Sequence, residues 1–257
     1  MVLLTCSNLF ERITPSASFK LAPLRFSFAL FLVLVAGCTT TAKINDISTL
    51  QSSSGGPPRV LLMPMDIELY LLTTGGLLEP KVDWTEQANQ HFMSALKSRS
   101  ASMGFALVEY DTTAHTATSD LEQLKKLHQA VGQTMMEQRV LPMPTKIEEF
   151  KWSLGNGASS LSDYYESNYA LFVHVRDSYA SAGRQALIVA SAIASAFVPV
   201  PVATGGTQVA YASLVDLETG DIVWFNNLVR TSGDLREEDR AYQSIDTLLR
   251  NFPSANP

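Results

Sequence analysis

Seven consecutive residues, Tyr169 to Val175 (YALFVHV), hold no formal charge and only one ring that is clearly polar, His174. A strand with one wet face alternates apolar and polar side chains, whereas a continuous apolar run rich in aromatic and β-branched residues is buried on both faces. Such a strand belongs at the centre of a sheet. The rest of the chain must then supply cover for two faces.

The flanking segments fit that demand. VLLMPMD, Val60 to Asp66, reads as a second buried strand, followed by the apolar excursion ELYLLTTGGLLEPKV with a turn at Gly75-Gly76. Asp83 and Glu86 have capping-box spacing, and Trp84, Ala88, Phe92, Ala95 and Leu96 line one helical face that stops near Gly104. FALVEYD (105–111) is a third strand. Ser119 to Glu122 repeats the capping spacing before a helix with Leu121, Leu124, Leu127, His128, Val131 and Met135 on one side, running to about Arg139. Pro142 and Pro144 end it, and 146–167 reads as an ordered loop with a short helix near Leu161. QVAYASLVDL and DIVWFNNLVR, joined by Glu218-Thr219-Gly220, form a hairpin with glycine in its turn. A third capping box, Asp234 to Glu237, opens a last helix with Leu235, Tyr242, Ile245, Leu248, Leu249 and Phe252 on its apolar face. The order predicts one α/β domain over 59–257, a mixed sheet in two or three layers. Its early strands are parallel, its C-terminal hairpin is antiparallel, and helices flank it.

Upstream, Lys20 and Arg25 precede the apolar run FSFALFLVLV (26–35), and Ala36-Gly37-Cys38 follow. This is an export signal with a short apolar segment, and small residues before a cysteine match the bacterial lipoprotein box. The reading assigns 1–37 to the signal peptide, Cys38 to acylation, and 38–58, polar and closed by Gly55-Gly56-Pro57-Pro58, to a flexible tether. Thr39 rather than Asp after the cysteine points to the periplasmic face of the outer membrane of a Gram-negative bacterium. Cys6 leaves with the signal, so an acylated Cys38 leaves no thiol for a disulfide. The whole chain carries a net charge of −6, and the signal is net basic, so the exported chain is more acidic still. That excludes the basic footprint a nucleic-acid partner requires.

Residues 184–206, RQALIVASAIASAFVPVPVATGG, carry no charge after Arg184. From Ala186 to Val198 a helix measures about 20 Å, short of the roughly 30 Å of bilayer hydrocarbon, so it does not span. Ala186, Ala190 and Ala194 form a small ridge thickened by Ser191 and Ser195, beside a bulky ridge of Val189, Ile193 and Phe197. A core helix, an oligomer contact through Ala186, Ala190, Ala194 and Phe197, and an element dipping into a membrane all remain open.

Candidate chemistry is sparse. Arg176, Asp177, Ser178 and Tyr179 follow the central strand and precede Arg184, the place beyond a strand's carboxyl end where open α/β sheets bind ligands. Asp177 or Ser178 bonding the turn explains the same residues structurally. His174 reads as a buried, hydrogen-bonded histidine; His91 and His128 sit on separate helices, His115 in a loop. No metal-ligand spacing, nucleophile elbow, phosphate loop or dinucleotide fingerprint is present, so no metal or cofactor is expected. Gly75-Gly76 and Gly155-Asn156-Gly157 read as turns, and Glu148-Glu149 and Glu237-Glu238 as solvated pairs. No enzyme is expected.

The order of elements from Val60 to Phe252 and the hairpin A-x-L-V-D-x-x-T-G-x-x-x-W, Ala212 to Trp224, are similar to a group of envelope proteins. The chain resembles the periplasmic α/β domain of the curli secretion-channel lipoprotein, the penicillin-binding-protein activator lipoprotein and the N-terminal domain of the Tol translocation protein. The resemblance implies a non-catalytic scaffold that binds an envelope protein or assembles. The curli channel inserts strand hairpins into the membrane, whereas 184–202 is helical in pattern and short. The leading expectation is a lipid-anchored adaptor module. A homo-oligomeric secretion or pore subunit using 184–202, and a small-ligand or enzyme site near Arg176 to Arg184, are the alternatives.

Overall fold

The computed structural model describes residues 40–45, 47–52, 55–111, 119–138, 151–231 and 233–255. The signal segment, Cys38, His115, Pro142, Pro144 and Glu148-Glu149 lie outside the described residues. Strands β1 (Thr40–Asn45), β2 (Arg59–Leu62), β3 (Asp66–Leu72), β4 (Leu78–Pro80), β5 (Ala106–Glu109), β6 (Tyr169–Ala180), β7 (Gln208–Asp216) and β8 (Ile222–Arg230) form one mixed sheet. Helices α1 (Val82–Met103), α2 (Ser119–Glu137), α3 (Ser159–Tyr165), α4 (Ala182–Ser195) and α5 (Glu238–Leu248) accompany it.

The order across the sheet is β1-β8-β7-β6-β2-β5. Strand β6 is central, as its apolar run demands, and at 12 residues it outlasts its neighbours. Its antiparallel partner β7 covers Tyr169 to Asp177 on one side. Two parallel strands share the other side, β2 against Tyr169–Leu171 and β3 against His174–Ala180. VLLMPMD is therefore not one strand: Pro64 lacks the N–H a ladder needs, and the chain steps there before pairing resumes.

Alternation along β6 builds two cores. Tyr169, Leu171, Val173 and Val175 face α1 and α5 in a cluster that includes Phe92, Trp224 and Leu228. Ala170 and Phe172 face α2, α3 and the 3-10 turn at Asn156–Ala158, with Leu61, Tyr211 and Phe225. Three layers result. Buried Asn226 ties β8 to the end of α5, donating to the carbonyls of Thr247 and Leu248 at 3.2 and 2.8 Å, groups a helix terminus otherwise leaves unpaired. Gly220, at φ 77°, closes the β7–β8 turn so near the 3-10 segment that a Cβ would sit 2.1 Å from the Gly155 carbonyl oxygen.

Three local expectations are corrected. Helix α1 begins at Val82, capped in position by Lys81 with no side-chain bond, so Asp83 lies in the first turn. Helix α5 begins at Glu238, because the Asp234 carboxylate is engaged by Arg236 instead of capping. The segment read as a tether is bound to the domain: Thr40–Asn45 pairs antiparallel with β8, Leu50 is buried, and its N–H donates to the Ser254 carbonyl at 2.9 Å. TTAKIN, small or polar except for Ile44, looks like a linker by composition and is recruited by the free edge of β8.

Candidate functional site

Arg176 to Tyr179 are not a loop beyond a strand, as the sequence suggested; they are the last third of β6. Side chains on a strand alternate, so the group divides between the faces of the sheet. Arg176 and Ser178 lie on the α2 side, Asp177 and Tyr179 on the α1 and α5 side. Tyr179 is parted from the other four, Arg176, Asp177, Ser178 and Arg184, which line one groove.

On the α2 side the β3–β6 register sets Asp66 opposite His174 and Glu68 opposite Arg176. The Asp66 carboxylate meets His174 Nδ1 at 2.8 Å and Arg176 Nη2 at 2.8 Å, and Arg176 Nε reaches Glu68 at 3.4 Å. Although its burial pushes the other way, the bond to His174 and the charge of Arg176 hold the Asp66 carboxyl below its usual range. Deeper in, His128 on α2 stacks on Phe172 with ring centroids 4.4 Å apart and bonds Ser213 Oγ through Nε2. Burial, then the neighbouring His174, pushes the His128 pKa down to about 3. Serine, histidine and aspartate thus occur together, but Ser213 is fully buried and bonds a different histidine from the one Asp66 orients. The pair belongs to the core, where no substrate reaches the hydroxyl.

On the opposite face Asp177 accepts from Tyr179 Oη at 2.6 Å and from Gln208 Nε2 at 2.8 Å. Gln208 in turn accepts from Arg230 Nε at 2.5 Å, and Tyr179 Oη accepts the Leu235 N–H at 2.7 Å. Arg236 lies over the Tyr179 ring at 4.1 Å and over Trp84 at 4.6 Å. The network clamps Leu235 and Arg236, ahead of α5, onto the end of the sheet. Burial pushes Asp177 up to about 6, against the hydrogen bonds it accepts. Among the described residues no group of three or more metal-ligating side chains comes together.

The third feature is α4 with its return segment 196–207. Ser181 caps the helix, its Oγ accepting the Arg184 N–H, and its own N–H donates to the Leu72 carbonyl. Arg184 ties the base, donating from Nε to the Thr204 carbonyl at 2.9 Å and from Nη1 to Thr74 at 3.4 Å. The return segment packs along one side of the helix, where the Ala203 N–H donates to Ser191 Oγ at 2.9 Å. Ser191 therefore faces its own chain and does not thicken the alanine ridge. The remaining surface is bare. No residue of α4 is buried, so it is not the core helix the sequence left open. Seven of the thirteen large apolar side chains exposed among the described residues belong to this arm, with Phe197 at 82%. Ala186 and Ala190 are exposed beside Val189 and Ile193. No described helix is long and apolar enough to cross a membrane.

A groove of about 640 Å³ runs between the β3–β4 hairpin and residues 204–209, lined by Tyr70, Arg176, Asp177, Ser178 and Arg184. Tyr179 lies on the other face of the sheet.

No family model and no curated protein matches the chain. Among solved structures it is similar to a PelC dodecamer from Paraburkholderia phytofirmans, with 10% identity and a TM-score of 0.41 over 84% of this chain and 99% of that one. A point variant of the same dodecamer gives 13% identity and a TM-score of 0.39 over the same shares. Neither is one of the three proteins whose domain the sequence resembles.

The arm was visible in the sequence as an uncharged apolar stretch, but its exposure was not. The Asp66–His174–Arg176 ladder was missed, because it exists only through strand register.

Proposed function

We propose that the chain is a non-catalytic assembly module of a bacterial envelope, anchored by lipid on Cys38 at the periplasmic face of the outer membrane and docking through the α4 arm. The observation that supports this reading is the arm itself. A helix apolar on its outer face, with no buried residue, is stable in water only at a cost of exposed hydrocarbon, and patches of this kind mark interaction surfaces. The His128–Ser213 pair is sealed in the core, and the Asp177–Tyr179 network clamps a connection.

A photo-crosslinking residue in place of Ile193 in intact cells tests the reading. Adducts at that position, and none when the same residue replaces Tyr242 on α5, are expected. An arm that yields no adduct at all overturns it.

A second reading, a homo-oligomer through the arm, draws on exposed Ala186 and Ala190, small enough to admit another helix closely. Sizing of the detergent-extracted protein tests it, and a monomer removes it.

A further inference from the structure

We infer that the surface receiving the arm is the lipid bilayer, which the arm enters at headgroup depth beside the anchor; this rests on the acylation of Cys38 proposed above.

The argument starts from strand register. Thr40 pairs with Val229, Val229 with Val209, Val209 with Arg176 and Arg176 with Glu68, one row across the sheet. Strand β1 runs antiparallel to β8, so its first residue lies at the end of the sheet where β6 finishes and the arm departs. Four strands at roughly 4.8 Å spacing put Thr40 about 14 Å to the side of β6. Cys38 precedes Thr40 by two residues, a reach of about 7 Å. Acyl chains on such a short leash fix which end of the domain meets the membrane. A flexible tether of twenty residues leaves that orientation free; pairing of β1 with β8 removes the freedom.

What that end presents agrees in chemistry. Besides the arm, the tip of the β3–β4 hairpin shows Leu77 and Leu78, 72% and 54% exposed. Leu72, just before that tip, pairs with Ala180, just before the arm. Between Arg184 and Asp216 there is no formally charged residue. Arg184 has no carboxylate within ion-pairing distance among the described residues, and bonds only backbone carbonyls at the arm's base, where a cation meets lipid phosphates while its neighbours enter the acyl boundary. A helix of 14 residues is about 21 Å long, enough to lie in the interface and too short to cross.

The test uses the processed, lipidated protein in vesicles of phosphatidylethanolamine and phosphatidylglycerol. A polarity-sensitive dye is attached through Ile193→Cys, and in a control through Tyr242→Cys. Blue-shifted emission quenched by nitroxide-labelled lipid at 193 and not at 242 is expected. Val189→Asp, at an exposed position, is expected to move the arm's partition at least about tenfold toward water. Emission at 193 quenched only by aqueous iodide overturns the inference. So does shielding from both quenchers with crosslinks between copies at 193, but that outcome leaves the docking reading standing.

Discussion

The hydroxyl of Tyr179 donates to the carboxylate of Asp177 at 2.6 Å, two positions away on one strand, within a network that takes in Gln208 and Arg230. Burial, against the hydrogen bonds it accepts, lets Asp177 hold its proton up to about pH 6 when folded, against 3.8 when exposed. The folded state binds the extra proton, so this group makes stability fall as pH rises from about 3.8 to 6, by on the order of 2–3 kcal/mol. His128 acts in the opposite sense: it stays neutral when folded down to about pH 3, while the unfolded chain takes a proton near 6.5, so stability falls as pH drops through that range. The two slopes oppose each other across one window. Wild-type stability in urea is expected to change little between pH 4 and 6. Asp177→Asn is expected to reveal a loss on acidification, and His128→Phe a gain. Parallel profiles for all three proteins defeat this assignment.

Gly132 sits in the interior of α2, where alanine normally adds about 1 kcal/mol. Here a Cβ would lie 2.3 Å from the Tyr211 ring, which is buried and held by its hydroxyl donating to the Gln129 carbonyl at 3.1 Å. Overpacking of that kind costs about 1–3 kcal/mol and outweighs the helical gain. Gly132→Ala is expected to lower the urea midpoint, and Tyr211→Leu in the same chain to return part of the loss.

The bonds of Asp66 to His174 and Arg176 fasten β3 to β6 beyond the point where Pro64 interrupts the edge. Asp66→Asn removes the charge from both contacts and is expected to cost about 1–2 kcal/mol at neutral pH. Because the folded carboxyl titrates below its unfolded value, the difference between variant and wild type shrinks as pH falls below about 4.

Truncation separates core from arm. Trp224→Ala empties a site with no exposed surface and is expected to cost about 3–5 kcal/mol. Phe197→Ala, equally aromatic and 82% exposed, is expected to stay within about 0.5 kcal/mol of wild type in the absence of membrane. A large loss there would mean that the arm is part of the folded core.

Much of this fold can be read from local pattern. The run at 169–175, the helical faces of Phe92 and Leu124, and the glycine at 220 each have one structural solution, and the structure contains it. Pattern fails where pairing decides. TTAKIN carries only Ala42 and Ile44 as apolar positions and becomes a strand because β8 offers an open edge. Arg176 to Tyr179 resemble a loop in polarity, yet β7 pairs as far as Asp177 and β3 extends the ladder past them to Ala180. The 186–198 stretch shows its apolar character in sequence, but whether anything covers it depends on where β6 ends.

Asp177 and Gln208 stand opposite each other in the β6–β7 register, so the chain departs for the arm and comes back at neighbouring points of the sheet. The intervening residues are thus a cassette spliced into an ordinary hairpin connection. Its length and greasiness can be rewritten, by evolution or by engineering, without disturbing the frame that carries it.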